Sequence, residues 1–167
     1  TARTGVRIAP YFAASGSIAR QIRSGAPVDL FLSADRETPE HLAGSGHIRP
    51  GTLAVFAVGT LALAIGGGSP AANLTLAELT GPRITKLAIA NPDLAPYGAA
   101  ARAACRHAGV WDRIQDKLVI CESVDQARTY FQQGEVEAAF LPGPVVFANG
   151  WRSVPIPPGS YPPLDQT

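Results

Sequence analysis

Short apolar runs alternate with helical patterns along most of this chain, and that alternation limits the fold more than any other feature. G5-V-R-I-A-P-Y-F12, V28-D-L-F-L-S33, the long stretch L53-A-V-F-A-V-G-T-L-A-L-A-I65, K86-L-A-I-A90, K117-L-V-I-C121 and V136-E-A-A-F-L141 read as strands. Between them lie helical patterns at S17-I-A-R-Q-I-R23, at R36-E-T-P-E-H-L-A43 closed by Gly44, at A99-A-A-R-A-A-C-R-H-A108 stopped by Gly109, and at S123-V-D-Q-A-R-T-Y-F-Q-Q133. L76-A-E-L79 and W111-D-R-I-Q-D116 add single turns. G66-G-G-S-P-A-A72 and the proline-rich tail from Gly143 read as loop. Strands that alternate with helices predict an α/β fold with largely parallel strands and covering helices.

Composition agrees with a packed core. Of 167 residues, 46% are hydrophobic and 16% charged. The formal net charge of +1 gives no bulk field for a polyanion, so nucleic acid is not an expected partner and any bound anion must be held locally. No apolar run reaches the length of a membrane span.

Three helix starts resemble one another. Ser15, Gly16 and Ser17 stand ahead of the first helix, Pro96, Tyr97 and Gly98 open the third, and Ser123 begins an S-x-x-Q capping pattern before the fourth. Each helix follows a strand, so each start lies at a strand's carboxyl end, where open α/β sheets bind ligands. A helix N-terminus offers free N–H groups and about half a positive charge. Taken alone, each start is an ordinary cap; converging, they would hold an oxyanion.

S15-G-S-I-A-R-Q-I-R-S-G-A-P-V-D-L-F-L-S-A-D35 resembles the signature of the periplasmic molybdate-binding proteins of ABC transporters. L87-A-I-A-N-P-D-L-A-P-Y-G-A-A-A101, G109-V-W-D-R-I-Q-D-K-L-V119, E122-S-V-D-Q-A127 and Y161-P-P-L-D-Q166 resemble later segments of that family, in the same order. The resemblance implies a type II periplasmic binding protein fold, with two lobes closing on a tetrahedral oxyanion. It implies residues 1–54 as a partial first lobe, 55–65 as the crossing, 66–150 as the second lobe and 151–167 as the return. It further implies that Ser15 binds molybdate or tungstate through its hydroxyl and N–H, that Tyr97 and Val124 bind through backbone N–H groups, and that Ser17 assists or caps. The implied partner is an ABC-transporter membrane subunit and the implied location is periplasmic; no cofactor is expected, and no enzymatic activity. A ligand-sensing domain of a regulator and a remnant that no longer binds are the alternatives.

Two departures accompany the resemblance. Many members carry a tyrosine hydroxyl ligand where this chain has Pro142, which lacks both hydroxyl and N–H. Members also begin with a strand and a ligand-bearing turn that would precede Thr1. The first lobe is therefore expected to be incomplete and its edges exposed, which favours a dimer.

Other residues read plainly. Cys105 and Cys121 lack zinc spacing; buried small residues or a disulfide are the readings open to them. His41, His47 and His107 show no metal pattern, Asp35 reads as a cap for the second helix, and Trp111 and Trp151 read as packing residues. A-A-S-G-S is not a nucleophile elbow, and G66-G-G-S lacks the lysine of a phosphate loop.

Overall fold

A computed structural model describes residues 5–67 and 75–167. Its centre is a five-stranded mixed sheet. The strands are β2 (Leu61–Ile65), β3 (Leu87–Ala90), β4 (Leu118–Cys121), β5 (Ala138–Pro142) and β6 (Ser153–Pro155), in the order β4-β3-β5-β2-β6. β3 is parallel to β4 and β5, whereas β2 is antiparallel to both β5 and β6. The alternation predicted largely parallel strands. β2 departs from that, running antiparallel to both of its neighbours.

Side chains leave this sheet alternately on two faces. Leu61, Leu63, Ile65, Leu87, Ile89 and Phe140 point into one cluster, against α3 (Pro96–His107). Ala62, Ala64, Ala88, Cys121, Ala139 and Leu141 point into the other, against α4 (Val124–Gln132) and α5 (Gly143–Ala148). The run of small residues in α3 is thereby explained: Ala100, Ala101 and Ala104 are buried and let the helix lie close to the sheet. Cys105 and Cys121 fall in different clusters, with the sheet between them, and both are free thiols. Burial pushes them up to about 12 and about 11. Trp151 meets Phe131 edge-on at 5.0 Å and Trp111 packs against the larger cluster, as packing residues should.

A second, two-stranded ribbon joins β1 (Ala57–Gly59) antiparallel to β7 (Leu164–Gln166). The long apolar run 53–65 is therefore two strands, broken at Gly59 and Thr60. Beyond the ribbon lie α1 (Ser15–Arg23) and α2 (Glu37–Gly44). Asp35 caps α2, accepting the Thr38 N–H at 2.6 Å and the Thr38 hydroxyl at 2.9 Å.

Several expectations are corrected here. The segments 5–12 and 28–33 form no ladder among the described residues. Strand propensity needs a continuous partner to become a strand; Ser33 exchanges backbone bonds with Thr167 at 2.7 and 3.2 Å, but no ladder extends from that pair. Their apolar side chains consequently face outward: Ile8 is 74%, Phe12 83% and Leu30 75% exposed. The tail read as loop holds α5, β6 and β7, because β2 and β1 supply the pairing that its prolines do not forbid at edges. Residues 68–72 of the loop read after β2 lie outside the described residues. Among the described residues no helix is long and apolar enough to cross a membrane.

Candidate oxyanion site

Three helix N-termini meet at one small apolar cluster. Ala14, which precedes α1, Ala95, which precedes α3, and Ala90 at the end of β3 are buried together, and Val124, the first residue of α4, packs against them. The convergence follows from local chemistry. β3 ends at Ala90, and Asn91 then folds the chain back: its carbonyl accepts from Leu94 and Ala95 N–H at 3.1 and 2.8 Å, and its side chain accepts from Asp93 N–H at 2.9 Å. Pro96 starts α3 with its φ already set. Gly98 is required because a Cβ there would collide with the Ala90 carbonyl oxygen. At α4, Ser123 caps by accepting the Gln126 N–H at 3.2 Å, while the Gln126 side chain accepts the Glu122 N–H at 2.6 Å.

Ser15 is 7% exposed and is the first residue of α1. It does not cap the helix. Its Oγ accepts the Ala34 N–H at 3.1 Å, nineteen residues away in sequence. An oxygen already occupied as an acceptor leaves its own hydrogen to donate, so Ala34 sets the Ser15 hydroxyl as a donor. Ser17 lies in the third position of α1 and does not cap either; its hydroxyl faces Arg20 at 3.4 Å and lines a neighbouring cleft with Tyr11, Phe12, Leu94 and Glu122. Among the described residues, no protein acceptor takes the backbone N–H of Ser15, Tyr97 or Val124. First-turn N–H groups lack intrahelical partners, and all three helices begin at the shared cluster.

The α1 end is tied to the α3 end directly. Gly16 N–H donates to the Leu94 carbonyl at 3.0 Å, and a Cβ on Gly16 would lie 2.9 Å from that oxygen. Neither Leu94 nor Ala34 was legible as part of the site. Both act through backbone atoms, which carry no residue-type signal. Among the described residues, no group of three or more His, Cys, Asp or Glu side chains could hold a metal ion.

Helix starts gathered at one edge of an α/β sheet, with free N–H groups and a buried hydroxyl beside them, form an arrangement that can hold a small anion. The chain belongs to the bacterial extracellular solute-binding protein family, whose profile matches residues 1–167. It is 33% identical to the molybdate-binding protein of Rhodobacter capsulatus over 167 residues, covering 99% of this chain and 66% of that protein. It is also 33% identical to the corresponding protein of Azotobacter vinelandii, covering 98% of this chain and 66% of that one. The chain thus spans just under two thirds of the length of these relatives. The solved structure of the Azotobacter vinelandii periplasmic molybdate-binding protein superposes with a TM-score of 0.89 at 29% identity, over 99% of this chain and 74% of that one. A mycobacterial sulfate-binding protein shares the fold with a TM-score of 0.71 at 16% identity. The fold is that of type II periplasmic binding proteins.

Proposed function

We propose that this chain captures molybdate or tungstate for uptake by an ABC transporter, outside the cytoplasmic membrane, and hands it to the transporter's membrane subunit without chemical change. The observation that carries the reading is the meeting of three helix N-termini at Ala14, Ala95 and Val124, with the backbone N–H groups of Ser15, Tyr97 and Val124 left without protein acceptors. The likeness to molybdate-binding relatives over nearly the whole chain supports it.

In this reading the Ser15 hydroxyl and the three N–H groups donate to the oxygens of a tetrahedral dianion, and the helix ends add partial positive charge. Fixed donors suit an anion that carries no proton. Ser17 stands at the rim of the site, beside Arg20. Residues 1–54 and 66–150 form the two lobes, 55–65 the crossing and 151–167 the return. The outward-facing apolar side chains at 6–12 and 28–32 favour self-association of the chain, and a monomer by light scattering at high concentration would remove that part of the proposal.

Thermal unfolding at matched ionic strength tests the function. A ligand at ~100 times its dissociation constant stabilises the native state by about 2.7 kcal/mol. Molybdate and tungstate should raise the midpoint and sulfate should not. Equal shifts with sulfate, or none with any of the three anions, would overturn the reading.

A further inference from the structure

Tyr97 has two ends that serve different parts of the molecule. Its backbone N–H, in the first turn of α3, points back along the helix axis toward the proposed anion. Its side chain runs the other way and is 5% exposed. The ring lies in the larger core cluster with Leu61, Ala101 and Leu164. Its hydroxyl reaches the β1–β7 ribbon, where it accepts a hydrogen bond from Gln166 Nε2 at 3.3 Å. Gly59, in the facing strand, is what makes room: a Cβ there would collide with the Tyr97 hydroxyl, and would also stand 3.2 Å from Gln166 Nε2 and from Leu164 Cβ. Both passages of the chain between the α1–α2 region and the five-stranded sheet run through this ribbon. The ribbon continues to the other side of the site as well. Thr167, next to Gln166, is paired with Ser33, and the following residue, Ala34, donates to Ser15.

We infer that the Tyr97 side chain is a positioning element that couples the anion site to the β1–β7 ribbon, with Gly59 and Gln166 as its seat. It fixes the first turn of α3, and so the Tyr97 N–H, relative to the ribbon whose end, at Thr167, pairs with Ser33, and hence relative to Ser15. This rests on the oxyanion reading of the site. The consequence is that the two sets of donors are held in register through a phenol oxygen that never touches the ligand.

The test is a rescue. Gly59→Ala should push the phenol oxygen from its seat and raise the molybdate dissociation constant about tenfold, the size of a coupling between residues in contact. Tyr97→Phe keeps the ring but loses the Gln166 bond, and should raise it about threefold on the same scale. The double variant Gly59→Ala/Tyr97→Phe should bind close to Tyr97→Phe alone, because the phenyl ring has no oxygen for the new methyl to strike. Calorimetric titration reads all four proteins. Hydrogen exchange of the Ala99 amide, which donates to the Ala95 carbonyl at 3.0 Å, gives a second measure in the unliganded proteins: faster in Gly59→Ala, restored in the double variant. Gly59→Ala binding like the parent, or a double variant no better than Gly59→Ala, would overturn the coupling. If the parent binds no molybdate, the function reading fails by itself. The exchange pattern then decides the coupling: restoration in the double variant supports it, and exchange unchanged by Gly59→Ala overturns it.

Discussion

Ser15→Ala separates the donor role of the hydroxyl from its structural role. The hydroxyl accepts the Ala34 N–H at 3.1 Å and has its own hydrogen left for the anion. Removing it costs the complex one hydrogen bond to a charged acceptor, about 1.5–3 kcal/mol. At 1.4 kcal/mol per decade, the molybdate dissociation constant should rise about tenfold to a hundredfold. The unliganded protein should lose less. The Ala34 N–H is left without its acceptor in a partly buried position, which costs about 1 kcal/mol, or roughly 2–4 °C for a chain of this size. Calorimetric titration reads the first number and scanning calorimetry without ligand the second. Ser17→Ala is the control. Among the described residues its hydroxyl meets only Arg20, at the long distance of 3.4 Å, so the affinity of this variant should stay within about twofold, the scale of an exposed contact. A Ser15→Ala protein that binds as tightly as the parent would refute the argument that Ala34 sets this hydroxyl as a donor. A large loss in both variants would mean that the rim, not the buried serine, controls binding.

Three further outcomes follow from the same geometry. Ser123→Ala removes the cap on Gln126 N–H and should cost about 1 kcal/mol by denaturant unfolding, with weaker anion binding because Val124 opens the same turn. Cys105 and Cys121 should resist alkylation in the native protein and react together on unfolding, since burial raises both thiols and the sheet separates them; a native disulfide by mass spectrometry would contradict this. Burial pushes the Glu137 carboxyl up, but hydrogen bonds from the Lys86 and Thr85 N–H groups and the Thr85 hydroxyl outweigh it and hold it below the usual carboxylate range. A lowered native value stabilises the fold above the unfolded value and is lost as pH falls through the native one. Glu137→Gln should therefore destabilise by about 1 kcal/mol or less near neutrality, because the carboxylate is exposed, and the effect should fade as pH falls through the lowered native value.

The sequence by itself determined four strands of the five-stranded sheet, β2 to β5, and the helices α3 and α4 that cover them. Period-two apolar runs such as 61–65 and 87–90, and the alanine face of α3, need only their own side-chain pattern to be read. It also marked the three helix starts, because capping residues, Pro96 and Gly98 are local requirements with residue-type signatures. Tertiary structure decided the rest. Segments 5–12 and 28–33 carry strand-like composition but no ladder, since pairing is a property of two segments and not of one. The tail became α5, β6 and β7 because β2 and β1 offered edges to it. Ser15 reads locally as a cap; only the fold brings Ala34 to its hydroxyl and makes it a donor. Contacts such as Gly16 to Leu94, and Tyr97 to Gly59 and Gln166, join residues 38 to 78 positions apart or pass through backbone atoms. No local pattern encodes them, because the physics that selects them is the close approach of chains the sequence keeps far apart.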